Sequence, residues 1–396
     1  MFKRFSLFVL SFVCVALMPI LGHAAYDKPY VGDMVKYRAK YEDTFVYLAR
    51  DFNLGFTEMR AANPYVDPWL PGAGTKLILP TRHLLPDAAH KGIVINLAEM
   101  RLYAFVDPDK APVTYPIGIG REGLDTPVGK TSVVRKVDGP TWRPTPRMRQ
   151  EHPELQEAYG PGPDNPMGTH ALYLGWPQYA IHGTNRPFGI GRRVSSGCIR
   201  MYPEAIVKLF DMIPVGTPVQ VVNQPIKLAW IDDVLYMEAH PSVAQAIAYE
   251  ERGVAEEEKL SDAEMKKLIE IAGDAEDRLR WPAIRMAVKE RAGYPVEIAR
   301  RSGVSMADEE KMGPFEAESV ADESAQETQK KDVAVQDVSE KPEKPAAADE
   351  PQENPAEKGT PLDEIYGGSE DQSEGNGDVM ADGAPSSSIS FGHLNP

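Results

Sequence analysis

The stretch His182-Gly183-Thr184-Asn185-Arg186-Pro187-Phe188-Gly189-Ile190-Gly191-Arg192-Arg193-Val194-Ser195-Ser196-Gly197-Cys198-Ile199-Arg200 holds a histidine, a Gly- and Arg-bearing loop, and a cysteine. A thiol becomes a good nucleophile when a neighbour takes its proton or stabilises the thiolate, and histidine is the usual partner. Fifteen residues separate His182 from Cys198, enough chain to fold the ring back onto the sulfur. A lone free cysteine is also commonly a small buried hydrophobe. The stretch alone leaves both readings open.

Compartment tips the balance. The chain starts Met1-Phe2-Lys3-Arg4, continues in a largely apolar run from Phe5 to Leu21, and reaches Gly22-His23-Ala24-Ala25. A basic start, a short apolar core and small exit residues describe a secretory signal peptide over residues 1–25, cut after Ala24 or Ala25. Cys14 leaves with it, so the exported chain keeps Cys198 alone and has no disulfide within it. An unpaired thiol is a liability where thiols oxidise, and its retention there suggests use.

The flanks say what carries the histidine and the cysteine. Upstream, Gly92 to Leu97 and Arg101 to Val106 read as a hairpin, followed by strands at Val113 to Ile119, Thr131 to Val137, Ala171 to Leu174 and Gln178 to Ile181. The last of these delivers His182 to a strand end. Downstream, Ile206, Leu209, Phe210 and Ile213 fall at helical spacing, so a short amphipathic helix follows the cysteine and its amides and dipole can favour a thiolate. The strand Pro218 to Val222 completes the sheet. This series predicts a mainly β catalytic domain over residues 91–223, a β-sandwich or closed sheet. Between Asp138 and Gly168 the alternation fails among seven prolines, Trp142 and Tyr159, an excursion that reads as a lid or as disorder.

Further out, residues 34–82 read as a βααβ module. Val35 to Ala39 and Thr75 to Pro80 are its strands, and helices start at Asp43-Thr44 and at Thr57. Asp43-Thr44, Leu48-Ala49, Asn63-Pro64 and Leu77-Ile78-Leu79-Pro80 resemble a LysM domain, with Glu42 where a glycine is usual; the resemblance implies docking to N-acetylglucosamine-containing glycan. Residues 224–303 read as a hairpin plus a helical appendage, with a capping box at Ser261-Asp262-Ala263-Glu264 and further short helices punctuated by Pro282, Gly293 and Pro295. Either this appendage meets a partner or it packs back on the catalytic domain. Residues 306–396 carry 23 acidic and 6 basic side chains, a net of −17 that accounts for the chain's −16. Such a segment cannot bury enough apolar area to offset its entropy and reads as a disordered acidic tail. No concentrated basic face accompanies a nucleic-acid-binding motif, so nucleic acid is not an expected partner.

With these pieces in order, residues 91–223 resemble the L,D-transpeptidase catalytic domain of the YkuD type. The carrying residues are His182-Gly183-Thr184, Ser196-Gly197-Cys198-Ile199-Arg200, Thr126-Pro127-Val128-Gly129 and Asn165-Pro166-Met167-Gly168. Joined to a LysM-like module, they look like the periplasmic enzymes of Gram-negative bacteria. The resemblance implies that Cys198 attacks the carbonyl between meso-diaminopimelate and the fourth-position D-alanine of a peptidoglycan stem, forming a thioester that an acceptor amine resolves. It implies His182 as general base, the Gly183 carbonyl orienting the ring, and the amides of Gly197 and Cys198 stabilising the oxyanion. Arg200 then either holds a substrate carboxylate or braces the loop. Ser196 stands where many relatives have histidine, which leaves the contribution of that position to substrate or oxyanion binding open. The acceptor is a second stem peptide or the lysine of an envelope lipoprotein or outer-membrane protein. Hydrolysis of the same substrate by an L,D-carboxypeptidase or amidase-type reaction, and a non-catalytic wall-binding protein, are the alternatives. No cofactor is expected, and His152, His170, His182 and His240 lack metal-ligand spacing.

Overall fold

A computed structural model describes residues 26–252 and 255–301. The expected signal peptide over 1–25 and the expected acidic tail over 306–396 lie outside the described residues. No helix among the described residues is long and apolar enough to cross a membrane.

Eight strands form one hydrogen-bonded sheet in the order Ile199–Arg200, Ala180–His182, His170–Leu174, Gly129–Asp138, Pro218–Val222, Gly92–Asn96, Arg101–Phe105, Val113–Pro116. A two-sheet sandwich differs from this arrangement. Gly118, just past the last strand of that order, bonds back to Arg200 in the first: the Gly118 amide donates to the Arg200 carbonyl at 2.9 Å and the Arg200 amide to the Gly118 carbonyl at 2.8 Å. The sheet is therefore rolled until its edges meet, and closure satisfies edge groups that an open sheet would leave bare. Its interior is apolar, with Ile93, Ile95, Leu102, Leu172, Ile181 and Ile199 all buried in one cluster.

The strand Gly92–Asn96 is buried at every position, although alternation predicts one wet face. Ile93 and Ile95 point into the rolled core, while Val94 joins Tyr103 and Val31 on the other side. The paired segments Tyr30–Val31 and His83–Leu84 supply this outer cover. Fully burying each aliphatic side chain contributes roughly 1.5–3 kcal/mol, so covering the second face is a substantial gain.

Residues 34–82 have the expected βααβ order: Val35–Arg38, Phe45–Asp51, Phe56–Ala62 and Lys76–Leu79. Thr44 caps the first helix by accepting from the Tyr47 amide, and Asn63 ties the end of the second to the closing strand, exchanging two bonds of 2.9 Å with Ile78. The module is seated on the segment between His182 and Cys198 and on Glu204 beyond it. Thr57 donates its amide to the Gly191 carbonyl at 3.3 Å, the Arg192 guanidinium lies 3.8 Å from the Phe56 ring centre, and Arg50 makes two hydrogen bonds to Glu204. Gly191, at φ +75°, leaves no room for a side chain because a Cβ there would sit 2.3 Å from the Gly55 Cα.

Residues 226–300 are not a hairpin with helices alone. Ile226–Ile231 and Val234–Ala239 form the expected hairpin, and Val296–Arg300 adds a third strand beside Val234–Ala239. Five residues after Pro295 therefore return as strand rather than helix, since Leu235, Ile298 and Ala299 close one core with Leu268 and Ile284 from the helices Asp262–Ala272 and Trp281–Glu290. The helix Val243–Arg252 packs the other way, placing Ala246 in the core of the rolled sheet.

Candidate active site

His182 ends the strand Ala180–His182, and Cys198 immediately precedes Ile199–Arg200, which runs parallel beside it. The register pairs His182 with Arg200 and Ile181 with Ile199. Side chains alternate across a sheet, so Arg200, Cys198 and His182 share one face, the cysteine one step diagonal from the histidine. Ala180–His182 is the strand expected over Gln178 to Ile181, whereas Ile199–Arg200, at two residues, is too short to show a period in the sequence.

The imidazole is buried and held by main chain. His182 Nδ1 lies 2.6 Å from the Gly183 carbonyl oxygen. A carbonyl only accepts, so Nδ1 carries the proton and Nε2 keeps its lone pair. Burial, helped by the Arg200 charge, lowers the His182 pKa to about 4. The ring rests neutral, the form a general base requires. Burial also pushes the Cys198 thiol up, while a hydrogen bond from the Ala180 backbone and the Arg200 charge pull it down.

The turn before the cysteine is laced by Ser195. Its hydroxyl accepts from the Gly197 amide at 3.1 Å and donates to the Cys198 carbonyl at 2.6 Å. Gly197 has φ +106°, and a Cβ there would lie 2.9 Å from the Tyr179 ring, so the turn needs glycine twice over. The Gly197 amide, an expected oxyanion donor, is engaged by the Ser195 hydroxyl in this structure. From the other side Thr126 donates to the Gly197 carbonyl at 2.8 Å and accepts from the Gly120 amide at 3.1 Å. Thr126 and Ser195 are braces that residue type alone did not reveal; the hydroxyls matter through the backbone groups they meet.

The expected helix after the cysteine exists as Pro203–Met212, with Ile206 and Leu209 buried, but begins five residues beyond Cys198. The strand Ile199–Arg200 intervenes, so the thiol does not sit at that helix's N-terminus and is not stabilised by its dipole.

Residues 138–168 are ordered and reach the site. Trp142 and Tyr159 pair as a bridge, and the buried Asn165 amide donates to the carbonyls of Pro140 at 2.6 Å and Gly160 at 3.0 Å while its oxygen accepts from Met167 at 2.8 Å. Gly168, at φ +64°, backs so closely on Gly183–Thr184 that a Cβ would lie 2.6 Å from the Thr184 nitrogen. The short helix Pro146–Glu151 sends Arg147 to the exposed Ser196, 3.4 Å from its hydroxyl.

One group of metal-type side chains lies elsewhere. His83, Glu99 and Glu238 are buried with ligand atoms within 4.8 Å of one another. Lys227 pairs with both carboxylates, so an ammonium already supplies the cation, and this cluster is not part of the thiol site.

Residues 90–221 match the family model of the YkuD L,D-transpeptidase catalytic domain. The chain is 41% identical to the probable L,D-transpeptidase YbiS of Escherichia coli strain K12 over 258 residues, covering 64% of this chain and 82% of that protein. It is 40% identical to the probable L,D-transpeptidase ErfK/SrfK of Salmonella typhimurium over 259 residues, covering 63% of this chain and 81% of that one.

Proposed function

Because the chain belongs to the L,D-transpeptidase family, we propose that it is a cysteine acyltransferase of peptidoglycan stem peptides, with Cys198 as nucleophile and His182 as its base. The observation that carries this reading is the shared sheet face of the two side chains, with the ring fixed through Nδ1 by the Gly183 carbonyl. Cys198 Sγ attacks the carbonyl between the L-centre of meso-diaminopimelate and D-alanine while its proton passes to His182 Nε2. The amide of Cys198 stabilises the oxyanion. Collapse breaks the peptide bond, the proton goes from His182 to the departing D-alanine amine, and a thioester remains. An acceptor amine then attacks the thioester, gives its proton to His182, and restores the thiol.

Arg200 lies on the same face and its charge favours the thiolate and the neutral ring together. It is also placed to meet a donor carboxylate. Ser196, bonded to Arg147, takes the position of the usual histidine as a hydrogen-bonding group at the edge of the site. Export through removal of residues 1–25 puts the enzyme in the periplasm, and residues 34–82 act as a LysM-like glycan dock. The acceptor is a second stem peptide, giving a diaminopimelate cross-link, or the C-terminal lysine of an envelope lipoprotein or outer-membrane protein. Water as acceptor gives a trimmed stem instead.

Incubation with a disaccharide-tetrapeptide is the test. Free D-alanine and an intact-mass adduct on Cys198 are expected, and Cys198→Ala should abolish both, lowering turnover by about a thousandfold or more. Continued D-alanine release by Cys198→Ala would sink the cysteine mechanism. Mass spectrometry of sacculi from cells with and without the protein separates cross-links, protein-bearing stems and trimmed stems.

A further inference from the structure

The hydrogen of the Cys198 thiol has a partner that the transfer chemistry does not use. Cys198 Sγ donates to the main-chain carbonyl of Gln178 at 3.4 Å. A thiol carries one hydrogen, so a thiol bonded to Gln178 is not bonded to His182 Nε2. The Ala180 amide meets the same sulfur, which therefore lies against the main chain of residues 178 and 180. Tyr179, between them, turns the other way, and its carbonyl takes the Leu174 amide at 3.0 Å.

Gln178 reaches the sulfur from a turn that its own side chain opposes. Across Trp176-Pro177-Gln178-Tyr179 the Tyr179 amide donates to the Trp176 carbonyl at 3.3 Å, and Gln178 has φ +70°. Proline second and a left-handed residue third is the type II pattern, whose third position favours glycine or asparagine. Glutamine there brings a Cβ that crowds its own backbone. Its side chain is exposed, so packing does not offset that cost. Strain of this kind persists where the surroundings hold it, and here the surroundings are the nucleophile turn. A Cβ on Gly197 would lie 2.9 Å from the Tyr179 ring, and the Tyr179 hydroxyl donates to the Asp125 carbonyl at 3.4 Å. The two turns are docked together, and the carbonyl presented by the strained residue is the one on Sγ.

We propose that residues 176–179 form a latch on the nucleophile, an inference that rests on Cys198 and His182 being nucleophile and base. Gln178 is its positioning residue: the carbonyl holds the resting hydrogen of Cys198 away from His182 and fixes the sulfur. As the donor carbonyl enters, rotation about the Cβ–Sγ bond carries the hydrogen from Gln178 to His182 Nε2. No covalent bond is made or broken in that step. The Ala180 amide stays in place for the thiolate that follows.

Cys198 is the only cysteine once residues 1–25 are absent, so the infrared S–H stretch of the signal-free chain reports this thiol alone. Without substrate, the band should hold its position in His182→Ala, because the hydrogen does not rest on the ring. It should move in Gln178→Val, whose branched side chain disfavours positive φ and turns the carbonyl away. Gln178→Gly, free at that angle, should keep the parent band. With a disaccharide-tetrapeptide, Gln178→Val should lower kcat for D-alanine release about tenfold, and Gln178→Gly should recover most of the loss. A band that shifts in His182→Ala, or one unmoved in Gln178→Val, overturns the latch. A Gln178→Gly enzyme as slow as Gln178→Val overturns it too. Where Gln178→Val misfolds, the His182→Ala comparison decides the matter. Should the parent release no D-alanine, the transpeptidase reading fails, and the S–H band, read without substrate, still decides the latch.

Discussion

Burial sets the resting protonation of both reacting side chains, and in opposite senses. Loss of solvent lowers His182 to about 4 and raises the Cys198 thiol above its ordinary value. The resting pair is therefore neutral imidazole and thiol rather than a preformed imidazolium and thiolate, and proton transfer must accompany attack. This makes the pH profile diagnostic. The base is lost only when His182 is protonated, so kcat/KM for D-alanine release should hold level from about pH 8 down to about pH 5.5 and fall below that. An acid limb centred near the ordinary histidine value of about 6.5 would show that the ring is not desolvated in the free enzyme. His182→Ala should remove the limb together with most of the rate, and neither change is expected for His170→Ala, whose ring lies against Phe210.

At the scale of elements, the segment over residues 138–168 supports the histidine from behind. Asn165 is its knot, joining the carbonyls of Pro140 and Gly160 to the Met167 amide, and Met167–Gly168 in turn backs Gly183–Thr184. Asn165→Leu keeps the volume but strands those backbone groups, at a cost of about 2–4 kcal/mol. A lower urea midpoint and a drop of about tenfold or more in kcat are expected, with the Cys198 thiol still alkylated by iodoacetamide. Full kcat in this variant would mean that the segment does not position His182. The sequence already pointed to Asn165-Pro166-Met167-Gly168, to the strand ending at His182 and to the βααβ order near the N-terminus, because period-two and period-3.6 patterns survive wherever one face is buried. It could not reveal that Gly92–Asn96 is covered on both faces, that Ile199–Arg200 separates Cys198 from the helix, or that Val296–Arg300 joins the hairpin. Those features depend on which distant segments arrive, and strands of two or three residues leave no period to read. The bracing by Ser195 and Thr126 was hidden for the same reason: a hydroxyl's partners here are main-chain groups, which every residue possesses.

Across the whole of residues 26–301, the N-terminal segments, the rolled sheet and the C-terminal subdomain meet on buried charge. Lys227 bonds Glu99, Glu238 and the Leu84 carbonyl, Glu238 accepts from the Leu84 amide at 2.5 Å, and His240 lies 2.7 Å from Glu238. Although burial alone would raise Glu99, the charges and hydrogen bonds of Lys227 and His240 prevail and lower it to about 2. Its contribution to stability is present above its unfolded value of about 4.5 and is lost as pH falls toward 2. His182 and His83, both lowered by burial, withdraw stability earlier, as pH falls below about 6.5. His240 is shifted the other way: burial lowers it, but its bonds to Glu238 and Glu99 leave it raised, so its contribution is present below about 6.5 and lost as pH rises through its folded value. The two depressed histidines are opposed by the raised His240 and by Glu58, whose carboxyl pKa burial raises, favouring its neutral form. Below about pH 4 the urea midpoint should drop as Glu99 titrates. Lys227→Met tests the cluster itself. Removing the ammonium leaves two buried carboxylates facing each other and should cost about 3–5 kcal/mol in urea unfolding at neutral pH. Protonation relieves that repulsion, so the deficit relative to the parent should shrink as pH is lowered toward 4; a deficit that stays constant with pH would mean that Lys227 stabilises the junction by packing rather than by charge.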